Sequence, residues 1–142
     1  RDVLGSRGLG DVYKRQYKMY GGKMRENKEL IDKLRMYTSF NGKEVIHKIY
    51  MIRDMSFVKL RDSLIGMGQI LEEDFEKQVY VIAIRSGTAN MNTAVVAIQL
   101  MDDNTVSFLG YAKEGLIKQH TAEKAILKIM DQIKPTTDRE VQ

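Results

Sequence analysis

The chain has no cysteine and no tryptophan, one proline, and only two histidines in 142 residues. Without cysteine there is no disulfide framework, no thiolate nucleophile and no cysteine-based zinc site. That pattern suits a reducing compartment, and a cytoplasmic location is the expectation. A single proline excludes a proline-rich linker, and the missing tryptophan excludes a tryptophan-lined ligand box. No run approaches the ~20 consecutive apolar residues of a membrane span, so no membrane partner is expected. What is present is ordinary for a water-facing domain: 43% hydrophobic and 30% charged residues, enough for one domain around one core.

Residues 1–16 are set apart from this reading. Asp11-Val12-Tyr13-Lys14-Arg15-Gln16 is the translation of GAT GTG TAT AAG AGA CAG, which looks like the transposon end used in sequencing-library adapters. Ser6 to Gly10 fits the adapter bases before it. The stretch is read as an adapter-derived segment, so Gly5, Gly8 and Gly10 are not a phosphate loop. It carries four of the 23 basic and two of the 19 acidic residues, so the net charge drops from +4 to +2 without it. Basicity is then a weak argument for nucleic acid.

Residues 17–53 read as an N-terminal extension. Leu30, Ile31, Leu34 and Tyr37 recur at helical spacing between Met24 and Tyr37, with Glu29, Asp32 and Lys33 facing away. Glu29 and Lys33 are an i,i+4 pair. Asn41-Gly42 signals a turn. Lys43 to Arg53 suits a helix or a strand; its β-branched residues favour a strand.

Residues 54–134 read as an α-β-β-β-α domain. Asp54 or Ser56 caps a helix with Phe57, Leu60, Leu64 and Met67 on one side, and Gly68 is its stop. Gln69 to Gln78, with Glu72, Glu73, Asp74 and Glu76, reads as a solvated acidic connection. Strands follow at 79–85, 93–100 and 105–111. Tyr80, Ile82, Ile84, Val96, Ile98, Leu100, Val106 and Phe108 alternate onto one apolar face. The other face (Val79, Val81, Val95, Ala97) is too apolar for free solvent and needs cover from residues 24–53 or a second subunit. Thr121 opens a last helix, which Pro135 stops, and residues 135–142 form a polar tail. The expected fold class is α+β: a three-stranded antiparallel meander packed on two helices, with an N-terminal helix and an extra strand if 43–53 is extended.

Catalytic chemistry has little to work with. No serine sits in a nucleophile-elbow pattern. His47, in an apolar segment, reads as structural. His120, just before a helix N-terminus, could serve an anion site. No zinc spacing or dinucleotide fingerprint is present. The expectation is a non-catalytic binding module with no cofactor and no metal.

The element order from Ser56 to Lys134 resembles the double-stranded-RNA-binding domain family. Leu60-Arg61-Asp62 through Gly68 is similar to its first-helix pattern. Tyr80 to Gly87 has the spacing of its strand-one tyrosine and loop glycine, and Ala125-Ile126 occupies its paired-alanine position. The resemblance implies duplex RNA as partner, held by shape and phosphate contacts over roughly 16 base pairs. It implies three contact regions. One is the outer side of the first helix, at Lys59, Asp62 and Ser63. Another is the loop of Gly87, Thr88, Ala89 and Asn90, where proline and histidine are usual in place of Thr88 and Asn90. The third is the start of the last helix, at Lys118, Gln119 and His120. Ala122 stands there where a further lysine is usual, so Lys113 and Lys124 are the substitutes.

A meander with flanking helices is also similar to small roadblock-like and profilin-like adaptors. That reading implies a protein-interaction or dimerisation module, with a protein partner or a second copy on the apolar sheet face.

Overall fold

The computed structural model describes residues 28–40, 45–86, 91–101, 104–114 and 119–133. The adapter-like segment, residues 17–27 and the tail from 134 lie outside them. The elements are α1 (Lys28–Arg35), β1 (Ile46–Met51), α2 (Phe57–Leu64), β2 (Gln69–Asp74), β3 (Val79–Ser86), β4 (Asn92–Leu100), β5 (Thr105–Ala112) and α3 (Thr121–Ile133). The five strands form one antiparallel sheet in the order β1-β5-β4-β3-β2.

The expected three-stranded meander is therefore corrected to a five-stranded sheet within the same α+β class. β3, β4 and β5 are the meander. β1 adds to its far edge, with Ile46 opposite Gly110 and Met51 opposite Thr105. β2 adds to the other edge and replaces the expected acidic connection. Its register shifts between Ile70 and Glu72, and such a bulge breaks the two-residue alternation that marks a strand in sequence. Its polar composition is offset by ladder hydrogen bonds to β3, which a free connection would lack.

Alternation along β3 sends Tyr80, Ile82 and Ile84 to one face and Val79 and Val81 to the other. The first face joins Val96, Ile98, Val106 and Phe108 and is closed by Leu60 and Leu64 of α2 and by Ala125, Ile126 and Ile129 of α3. Ser56 accepts a hydrogen bond from the Lys59 N–H and caps α2. The Tyr80 hydroxyl donates to the Phe57 carbonyl (2.9 Å) and the Phe57 ring stacks on it, which fixes the helix start to β3. α2 ends at Leu64, before Gly68. Gly68 serves a different purpose from a helix stop: a Cβ there would collide with the Ala83 carbonyl oxygen.

Among the described residues the second face is closed by α1, with Phe40 and Val45 packed beside it. Leu30 and Leu34 are fully buried against Val79, Val81, Ala97 and Leu109. Lys33, expected to face away, bonds Glu72 and lies 2.8 Å from Asp74 across on β2. Glu29, expected to pair with Lys33 along the helix, lies 3.1 Å from Lys77 instead. Tyr37 donates to Glu72 at 2.6 Å. The β2 carboxylates thus divide by face: Glu72 and Asp74 turn toward α1, and Glu73 turns toward Tyr80 and Arg61.

Candidate binding surface

The positions implied by the family resemblance fall in three places. Lys59 and Asp62 are exposed on α2. The Lys59 ammonium donates to the Asp54 carbonyl (2.9 Å), and the Ser63 hydroxyl donates back to the Lys59 carbonyl (3.2 Å). Gly87, Thr88, Asn90 and Lys118 lie outside the described residues. Lys113, Gln119, His120 and Lys124 gather at the start of α3. Asn92 ties them by donating to the Lys113 carbonyl (3.0 Å) and to the Thr121 hydroxyl (3.2 Å).

A helix N-terminus with free N–H groups attracts anions. At α3 those groups already hold one. Glu114 accepts from the Gln119 N–H at 2.7 Å and from the Thr121 N–H at 3.0 Å. Burial works to raise the Glu114 carboxyl, but those two N–H groups, the Thr121 hydroxyl and the neighbouring His120 outweigh it and hold the group below the usual carboxylate range. The chain thus supplies its own anion where a phosphate would dock. His120 itself is exposed and takes a left-handed backbone (φ 55°), which a histidine adopts at some cost.

His47 is half-buried on β1, and its Nε2 lies 2.9 Å from the Ser107 hydroxyl oxygen. Ser107 is buried on the neighbouring strand, so this contact joins β1 to β5. Among the described residues no group of three or more histidine or carboxylate side chains could hold a metal ion. Among them, too, no helix is long and apolar enough to cross a membrane.

Residues that the family pattern does not mark stand out instead. Val58 and Ile65 are 57% and 59% exposed, and Phe75 in the β2–β3 turn is 72% exposed. Val58 and Ile65 are seven residues apart, two turns along one side of α2. Between them on that side lie Arg61 and Asp62, both exposed. Phe75 rests edge-on against Phe57, one residue from Val58. The signal was legible in the sequence: Val58 and Ile65 are apolar residues off the Phe57, Leu60, Leu64 side.

The chain matches no family model, no curated protein and no solved structure.

Proposed function

We propose that the protein is a non-catalytic interaction module that self-associates through the outer side of α2. The observation that carries this is the exposed order Val58, Arg61, Asp62, Ile65. It is self-complementary. When two copies of α2 pack antiparallel about a two-fold axis, Val58 meets Ile65 of the other copy and Arg61 meets Asp62. Closed two-fold dimers use one patch on both subunits in this way. Arg61 is 3.7 Å from Glu73 within the chain, a loose contact that leaves its guanidinium free to turn outward. An eight-residue helix buries less than a standard interface, so association is weak and concentration-dependent. The face first expected to take a second copy is occupied by α1.

Sedimentation equilibrium tests the reading. The average mass should rise above the 16.3 kDa of one chain as concentration increases. Arg61→Asp alone and Asp62→Arg alone should each return the monomer, because each sets like charges opposite one another. The double exchange should restore association. A monomer at every concentration, or a double exchange without rescue, rejects the α2 pairing.

Duplex RNA is the second reading, supported by exposed Lys59 and Lys124 on two helices that share one face of the β3–β4–β5 meander. It expects binding that favours RNA over DNA duplex, falls steeply with salt and is lost in Lys59→Glu with Lys124→Glu. Asp62 on α2 and Glu114 at the start of α3 oppose phosphate, which is why this reading stands second.

A further inference from the structure

β3 runs three residues past the start of β2. Gln69 pairs with Ala83, and Ile84, Arg85 and Ser86 continue beyond it. A cleft of about 350 Å3 opens at this step. Its wall is of two kinds. Met67, Ala83 and Ile84 give an apolar side, and Gln69, Arg85 and Thr93 give a polar one. The lining contains a cation and no carboxylate. The side chains of Gln69, Arg85 and Thr93 are exposed and have no hydrogen-bond or ion-pair partner among the described residues.

The strand edge adds a third kind of group. The Ala83 carbonyl points toward Gly68, on the β2 side. Strand carbonyls two residues apart point the same way, so the Arg85 carbonyl and N–H also face the side where β2 has ended. The Arg85 carbonyl is served there by the Lys128 ammonium at 3.1 Å, a side chain standing where a strand would be.

We propose that this cleft binds the C-terminal end of an extended peptide. The free carboxylate pairs with the Arg85 guanidinium, whose planar fork matches two carboxylate oxygens, and takes a further hydrogen bond from the Thr93 hydroxyl. The last side chain, small and apolar, lies against Met67 and Ala83. The peptide backbone continues the line of β2 and pairs with the Arg85 N–H, and a peptide N–H takes the place of the Lys128 ammonium on the Arg85 carbonyl. The volume falls in the range of ordinary ligand sites. This site shares no residue with the α2 pairing.

The test uses the full chain, labelled with nitrogen-15, at a concentration where sedimentation shows a monomer. The probes are N-acetyl-alanyl-alanyl-valine with a free carboxylate, the same peptide as its C-terminal amide, and butyrate. The free-acid peptide should shift the amide signals of Gln69, Arg85 and Thr93. The amide should bind at least about tenfold more weakly, the size of one charge-assisted contact. Arg85→Gln should lose the same factor for the free acid and nothing for the amide, and Arg85→Lys should recover part of it. Equal binding of acid and amide, or an unchanged affinity in Arg85→Gln, overturns the carboxylate contact. Butyrate binding as tightly as the peptide overturns the peptide in favour of a small acid. No shift at millimolar peptide overturns the site. None of these outcomes depends on whether the chain self-associates.

Discussion

The two faces of the sheet are closed by different chemistry. On one, α2 and α3 lay a continuous apolar layer over Tyr80, Ile82, Val96, Ile98 and Phe108. On the other, the eight residues of α1 bury two leucines and fasten the helix with Lys33 to Glu72 and Asp74, Lys77 to Glu29, and Tyr37 to Glu72. A short helix exposes little apolar area to burial, and a few leucines do not hold it alone. Charge at the rim where α1 meets β2 supplies part of the rest, and Phe40, packed against Tyr111, supplies more. An acidic strand at a sheet edge can therefore be structural. Glu72 and Asp74 keep the edge soluble and bind the helix that covers the neighbouring face.

The largest effects should separate the faces. Phe108→Ala should cost about 3–5 kcal/mol in urea unfolding, the usual range for a fully buried phenylalanine. Leu34→Ala should fall near the lower end of about 2–5 kcal/mol, because a helix held at one rim can settle into the space left. Equal losses would mean that α1 is packed as rigidly as α3.

Next comes the ionic rim. Lys33→Met should cost about 1–3 kcal/mol, since it leaves two partly buried carboxylates without the cation they share. Acid should act in the same direction. The Lys33 ammonium first, and then the Tyr37 hydroxyl, holds Glu72 below the usual carboxylate range. Lys33 first, and then the Lys77 N–H, does the same for Asp74. A carboxylate with a lowered folded value stabilises the fold fully above its unfolded value, about pH 4. That stabilisation is lost as pH falls through the folded value. Lys33 is raised by Asp74 and then by Glu72. Its share therefore persists through neutral pH and disappears only in strong base. Hydrogen exchange read residue by residue below pH 4 should show the α1 amides losing protection while those of α3 beyond its first turn, which Glu114 caps, keep theirs. Simultaneous loss in both helices would show that the two closures open as one unit.

The smallest effect should be a gain on the apolar side. The Ser86 hydroxyl, at the end of β3, is buried with no hydrogen-bond partner among the described residues. Ser86→Ala should raise stability by about 1 kcal/mol in the same urea titration, because an unpaired buried hydroxyl is costly. A loss would mean that the hydroxyl is paired in solution.

Much of the fold was legible because it follows from local periodicity. The strands at 79–86, 92–100 and 105–112 and the helices at 57–64 and 121–133 lie within a few residues of their sequence patterns. β2 was not legible, because its bulge and its charges hide the alternation. Of the candidate site, the exposed lysines could be named from sequence. The carboxylate that meets the α3 N-terminus could not, because Glu114 reaches it across a loop. Nor could the cleft, which exists only because β2 begins opposite Ala83 and leaves Arg85 beyond its end.

By itself the sequence determined the apolar faces, the Ser56 cap of α2 and the exposed order of Val58, Arg61, Asp62 and Ile65 along it, since these depend on which residues lie three, four or seven apart. Only the tertiary structure decided that Lys33 binds β2 and not Glu29, that α1 covers the second sheet face, and that Arg85 stands at a step in the sheet. Those are meetings of residues distant in the chain, 41 positions for Lys33 and Asp74 and more for Leu34 and Leu109. Side-chain period carries no information about such pairs; the register between strands sets them.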